Sequence, residues 1–185
     1  MKSPIRPIRI AAGGVAVVAV ALIVVFATSP NAANLQAQTP LIGKPAPALS
    51  GRSLTGGGQM TMSGLRGHFV LVNFFASWCE PCKAEAPQLN AFAAANTSDV
   101  VVLGVPFQDQ PSVAARFVTQ HGGHYPVLSV AGDPSGLQAG VHWGVRSPPT
   151  SFLVAPNGTM LTKIVGQVTT SGLDQLLVLA HSKGY

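Results

Sequence analysis

Trp78-Cys79-Glu80-Pro81-Cys82-Lys83-Ala84-Glu85-Ala86-Pro87 decides the reading of this chain, because it holds both of the cysteines found in 185 residues. It directly follows Phe69-Val70-Leu71-Val72-Asn73-Phe74-Phe75, an apolar run that reads as a buried β-strand. A strand leading into Cys-x-x-Cys and then a helix sets both sulfurs in the first turn of that helix. Unpaired backbone N–H groups and the positive end of the macrodipole favour a thiolate there. The arrangement points to a redox-active dithiol.

Two other uses of the cysteines fit less well. Tetrahedral zinc needs four ligands, and His68, His121, His124, His142 and His181 are scattered, with no second cysteine pair. A purely structural disulfide across so small a loop removes little entropy from the unfolded chain. Dithiol chemistry remains, with no cofactor or metal required.

With Pro87 beyond Cys82 and a later Gly144-Val145-Arg146-Ser147-Pro148-Pro149-Thr150-Ser151-Phe152-Leu153, the motif resembles the thioredoxin superfamily. More narrowly it is similar to the membrane-anchored TlpA/ResA-like extracytoplasmic thiol-disulfide oxidoreductases, whose relatives include cytochrome c maturation reductases. The resemblance runs from about Leu41 to the C-terminus. It implies a thioredoxin fold, an α/β architecture with a central mixed sheet flanked by helices, an N-terminal β-hairpin extension and an insertion after the second core strand.

The chain divides into a basic segment at 1–9, an apolar stretch at 10–27, a linker at 28–40 and one domain at 41–185. The apolar stretch reaches about 27 Å as a helix, close to the hydrocarbon thickness of a bilayer. Lys2, Arg6 and Arg9 precede it, which keeps that end cytoplasmic and exports the rest. We expect an uncleaved membrane anchor, a cleaved signal peptide being the alternative. The formal charge of +5 includes those three residues, so it is partly an orientation signal. Without clustered Lys and Arg it gives no case for nucleic-acid binding. A hydrophobic share of 47% is enough to bury a core.

Within the domain, residues 49–54 and 59–62 flank Gly56-Gly57-Gly58 as a short hairpin. That glycine run lacks the Gly-Lys-Ser/Thr continuation of a phosphate cradle. The first helix is expected to reach about Ala95 and to kink at Pro87. A second buried strand follows at 100–105, then a helix at 112–120 capped by Ser112, with Val113, Arg116, Phe117 and Gln120 at helical spacing. Residues 125–130 read as extended and 136–143 as a short helix or turn. Strands at 151–154 and 160–165 are joined through Asn157-Gly158, a hairpin signal, and a last helix spans 173–181.

Cys79, at the helix start and exposed, is the expected nucleophile; Cys82, one turn deeper and shielded, resolves the mixed disulfide. Glu80 and Glu85 raise the thiol pKa and Lys83 partly offsets them, which favours a reductant. A glutamate one turn beyond Cys82 reads ordinarily as a surface residue. In ResA-like relatives, however, that position is linked to active-site protonation, while Asn73 stands where thioredoxin has its acid. The resemblance makes Pro149 the cis-proline beside the cysteines, its turn exposing backbone groups to a substrate strand. Trp78, Glu80, Pro81, Pro148 and Thr150 then border the substrate.

These residues imply an extracytoplasmic thiol-disulfide oxidoreductase that reduces protein disulfides, including those of apocytochrome c, and is recharged by a transmembrane thiol carrier. A disulfide-forming oxidase of the same fold is the alternative. A peroxidase would want Thr where Ala76 stands, and a copper-binding assembly protein would space its cysteines by three with a His or Met nearby.

Overall fold

The computed structural model describes residues 39–185. The expected basic segment at 1–9, the anchor at 10–27 and most of the linker lie outside them. Among the described residues no helix is long and apolar enough to cross a membrane. In chain order the elements are β1 (Ser50–Ser53), β2 (Gln59–Thr61), a 3-10 turn (Ser63–Leu65), β3 (Phe69–Phe75), α1 (Glu80–Ala95) and β4 (Val100–Pro106). There follow α2 (Pro111–Gln120), β5 (Leu128–Val130), α3 (Leu137–Trp143), β6 (Thr150–Val154), β7 (Met160–Val165) and α4 (Thr170–Ser182).

The central sheet runs β4-β3-β6-β7. β3 is parallel to β4 and antiparallel to β6, and β6 is antiparallel to β7. All of β3 is buried, since both faces of the sheet are covered. Phe69, Leu71 and Phe75 belong to a cluster with Leu89 and Phe92 of α1 and Leu173 and Leu177 of α4. Val70, Val72 and Phe74 pack on the other side with Leu103, Phe152, Met160 and Trp143 of α3. Burying each such side chain is worth roughly 1.5–3 kcal/mol. By alternation Asn73 falls in the row facing α1 and α4, one polar group among aromatics.

The expected hairpin of β1 and β2 forms, but β5 adds to its other edge and makes a second, three-stranded antiparallel sheet. Gly51 permits this, because a Cβ there would run into the Ser129 carbonyl of β5. Of the extended run at 125–130 only Leu128–Val130 is strand.

One local expectation changes and two hold. Helix α2 starts at Pro111 after an N-cap Gln110 that makes no side-chain cap bond, so Ser112 lies inside the first turn. Its inward face is Ala114, Phe117 and Val118, with Val113 exposed. Asn157-Gly158 lies in the longer turn 155–159, where Gly158 takes the positive φ and Asn157 Oδ1 accepts from the Thr159 N–H. Helix α1 reaches Ala95 as expected, with Pro87, which has no N–H to donate, inside it.

α3 begins at Gly136, whose φ is 70° and whose Cα lies so close to the Pro106 carbonyl that a Cβ would collide with it. This contact sets α3 against the end of β4 and aims Trp143 into the core. Gly136→Ala is expected to lower the urea unfolding free energy by at least about 2 kcal/mol. An unchanged midpoint would mean that α3 can start elsewhere at no cost.

Candidate active site

The dithiol sits where β3 gives way to α1. Cys79 is the N-cap, with φ −86° and ψ 108°, and its Sγ accepts from the Cys82 N–H at 3.2 Å. That N–H is one of the helix's orphan donors, so the sulfur occupies the place where a thiolate would be stabilised. Cys79 and Cys82 are joined as a disulfide with Cα atoms 5.2 Å apart. Cys79 is only 4% exposed and Cys82 1%, which corrects the expectation of an open nucleophile. As N-cap, Cys79 turns its sulfur toward the helix N–H groups and joins the cluster of Phe75, Ala76 and Leu89. What stands in solvent is its border: Trp78 at 56%, with Glu80 and Pro81 also exposed.

The loop before the cysteines is held from across the sheet. Asp109, just past β4, accepts from the Ser77 N–H at 2.6 Å and, with its other oxygen, from the Gln110 N–H at 2.7 Å. Gln108 has a φ of 53°, and its carbonyl accepts from Trp78 Nε1 at 3.3 Å. Neither residue stood out in the sequence; an Asp-Gln-Pro run closing a strand was their only signal.

Glu85 is 1% exposed, so the surface reading fails. Its Oε1 accepts from Asn73 Nδ2 at 2.9 Å and its Oε2 from the Val168 N–H at 3.2 Å. Asn73 Nδ2 also donates to Ser151 Oγ at 2.9 Å. Burial raises the Glu85 pKa from 4.5 to about 7, the two hydrogen bonds holding it back from going higher. Burial, and then the nearby Glu85 charge, push the Tyr125 hydroxyl up as well. Lys83 pairs with Glu80 at the surface, three residues apart on α1. Glu85 is the buried carboxyl of this helix, whereas Glu80 stands in solvent.

The Pro148–Pro149 bond is cis. Thr150 Oγ1 donates to the Ser147 carbonyl at 2.8 Å, and the Gly166 N–H donates to the Pro149 carbonyl at 3.0 Å. Neither proline has an N–H, so the turn exposes less backbone than expected: Pro148 contributes only a carbonyl, which no described group engages. Lys163 Nζ donates to the Gly144 carbonyl at 2.8 Å and braces the start of this loop; burial, then the neighbouring Arg146, lower its pKa. Trp143, unassigned from sequence, is core, its ring 5.1 Å from Phe152 and 5.7 Å from Phe74.

The Redoxin family matches residues 41–177. The chain is 38% identical over 124 residues to the thiol:disulfide interchange protein CycY of Rhizobium leguminosarum, covering 67% of this chain and 64% of that one. It therefore spans just under two thirds of that relative. With the thiol:disulfide interchange protein HelX of Rhodobacter capsulatus the identity is 37% over 157 residues, covering 82% and 85%. A solved structure of a thiol:disulfide interchange protein DsbE from Chlorobium tepidum superposes with a TM-score of 0.65 at 30% identity, covering 75% of this chain and 96% of that one.

A carboxyl whose pKa rises on folding favours the fold fully below its unfolded pKa and loses that advantage as pH climbs through its folded one. For Glu85 the window runs from 4.5 to about 7, and the loss is about 3 kcal/mol. Denaturant unfolding of the oxidised protein is expected to show lower stability at pH 8 than at pH 5, with most of the difference gone in Glu85→Gln. An equal pH dependence in both proteins would assign it to other groups.

Proposed function

Because the chain belongs to the Redoxin family over residues 41–177, we propose that it is an extracytoplasmic thiol-disulfide oxidoreductase working as a protein-disulfide reductase. Residues 10–27 tether it to the membrane in this reading. Its substrates are exported proteins with disulfides, among them apocytochrome c before haem attachment, and a transmembrane thiol carrier restores the dithiol.

The observation that carries this reading is the buried Glu85 carboxyl, one helical turn beyond Cys82 and poised to titrate near neutral pH. In the reduced protein the Cys79 thiolate, held by the Cys82 N–H, attacks one sulfur of the substrate disulfide. An S–S bond forms between Cys79 and substrate, and the departing substrate sulfur takes up a proton. Glu85, ionised, then draws the proton from Cys82, whose thiolate attacks Cys79 Sγ. The mixed disulfide breaks, the second substrate thiol leaves, and the enzyme holds the Cys79–Cys82 disulfide: two electrons have passed to the substrate. The transmembrane carrier's dithiol reverses the exchange.

Direction follows from charge. Thiolate stabilisation makes a dithiol oxidising, and a negative group inside the site opposes it. Lys83 is engaged with Glu80, which leaves the Glu85 charge uncompensated by a cation from that helix. The couple is accordingly reducing. Trp78 and the Pro148 carbonyl form the edges against which the substrate segment lies, with Glu80 and Pro81 around them; Thr150, expected there too, is buried and spends its hydroxyl on the Ser147 carbonyl, so it shapes the turn without bordering a substrate.

Cys82→Ser in the full chain is expected to trap substrates on Cys79 as mixed disulfides that reductant releases. A folded, exported variant that captures nothing would overturn protein-disulfide exchange. Glu85→Gln is expected to slow the resolving step about a hundredfold at pH 7 and to remove its inflection near that pH; an unchanged rate and profile would exclude Glu85 as the proton acceptor.

A further inference from the structure

The Asn73 carboxamide sits between Glu85 Oε1 and Ser151 Oγ, 2.9 Å from each, and gives its Nδ2 to both. Its other end, Oδ1, is buried and has no partner among the described residues. An acceptor left idle inside a protein is costly unless another state uses it. The observed arrangement suits an ionised Glu85, which accepts from Asn73 and from the Val168 N–H.

A protonated Glu85 carries an O–H that itself needs an acceptor. Of the two groups bonded to the carboxyl, the Val168 N–H can only donate, whereas Asn73 has an idle oxygen. Rotating the carboxamide by half a turn exchanges Oδ1 and Nδ2 with almost no change in shape. Oδ1 then stands within hydrogen-bond distance of both neighbours, accepting from the Glu85 O–H on one side and from the Ser151 O–H on the other. One buried polar atom lacks a partner in either orientation, so the balance is decided at the Glu85 and Ser151 contacts.

We propose that Asn73 is a positioning residue with two orientations, one for each protonation state of Glu85, and that it relays that state to Ser151. Ser151 lies on β6, two residues after Pro149, so the proton on Glu85 is communicated to the strand that presents the cis-proline turn. Among the described residues the titratable group that feels the Glu85 charge is Tyr125, ahead of β5, while Cys79 and Cys82 are joined as a disulfide and do not titrate in the oxidised protein. β3 and β6 contribute Asn73 and Ser151, which do not titrate, and so pass on a charge without adding one. The proposal rests on Glu85 being the proton acceptor of the dithiol cycle.

The test is NMR of the oxidised full chain in detergent, following the Glu85 carboxyl carbon and the Asn73 side-chain amide from pH 5 to pH 9. One shared midpoint is expected, with nuclear Overhauser contacts from the Asn73 amide protons to Ser151 at high pH that vanish at low pH. In Glu85→Gln the Asn73 signals should stop moving. Asn73→Leu should raise the Glu85 midpoint by about one to two pH units and carry the pH profile of dithiol exchange up with it, whereas Ser151→Ala should move it less. Asn73 signals that stand still while Glu85 titrates would overturn the proposal. Shared titration together with an exchange rate indifferent to Glu85→Gln would uphold the amide coupling and remove Glu85 from the cycle.

Discussion

A single carboxylate accepts hydrogen bonds from two separate parts of the chain, and the redox site is assembled around that fact. Glu85 belongs to α1, Asn73 to the middle of β3, and Val168 to the segment entering α4. Apolar packing brings α1, β3 and α4 into the same cluster, but packing is non-directional and tolerates small shifts. The two hydrogen bonds are directional and set the position of α1 against the sheet. Cys82 lies one turn earlier on the same helix, so the resolving sulfur inherits that position. Burial makes the arrangement costly, because a carboxyl without water must either keep its partners or take a proton. The same cost brings its pKa into the range where sulfur chemistry operates.

A second set of contacts fixes the other approach to the cysteines. Asp109 holds the Ser77 amide and Gln108 holds the Trp78 indole, so the end of β4 governs the loop that precedes Cys79. The β4 end is itself pressed against the start of α3 through Gly136 and Pro106. Helix α3 leads through Gly144 into the proline turn, and Lys163 of β7 holds that carbonyl. The cysteine loop and the proline turn are therefore braced by one connected set of contacts.

Much of this was legible in the residues. The apolar run ending at Phe75, the cysteine spacing and the Pro148–Pro149 pair specify strand, helix start and turn, because each rests on local patterns of one element. The pairing of β5 with the hairpin was not legible: strands distant in sequence meet by topology, and Gly51 shows its purpose only beside Ser129. Glu85 illustrates the same division. Its place on a helix face could be counted, yet whether that face met solvent or core depended on where α4 docks. Asn73 was conspicuous as a polar residue in an apolar strand, but its partners come from two other segments, α1 and β6. Cys79 was expected in the open because helix starts commonly are; the N-cap geometry turns its sulfur inward instead.

The tandem prolines carry one more consequence. A partner backbone laid along the two prolines finds one vacant carbonyl and no amide, so it cannot build a ladder across them. In the proposed cycle, attachment is then dominated by the transient sulfur–sulfur link, with little residual grip once that link is cut. Such an enzyme releases its client by the very step that completes the reaction, and product departure needs no separate opening motion.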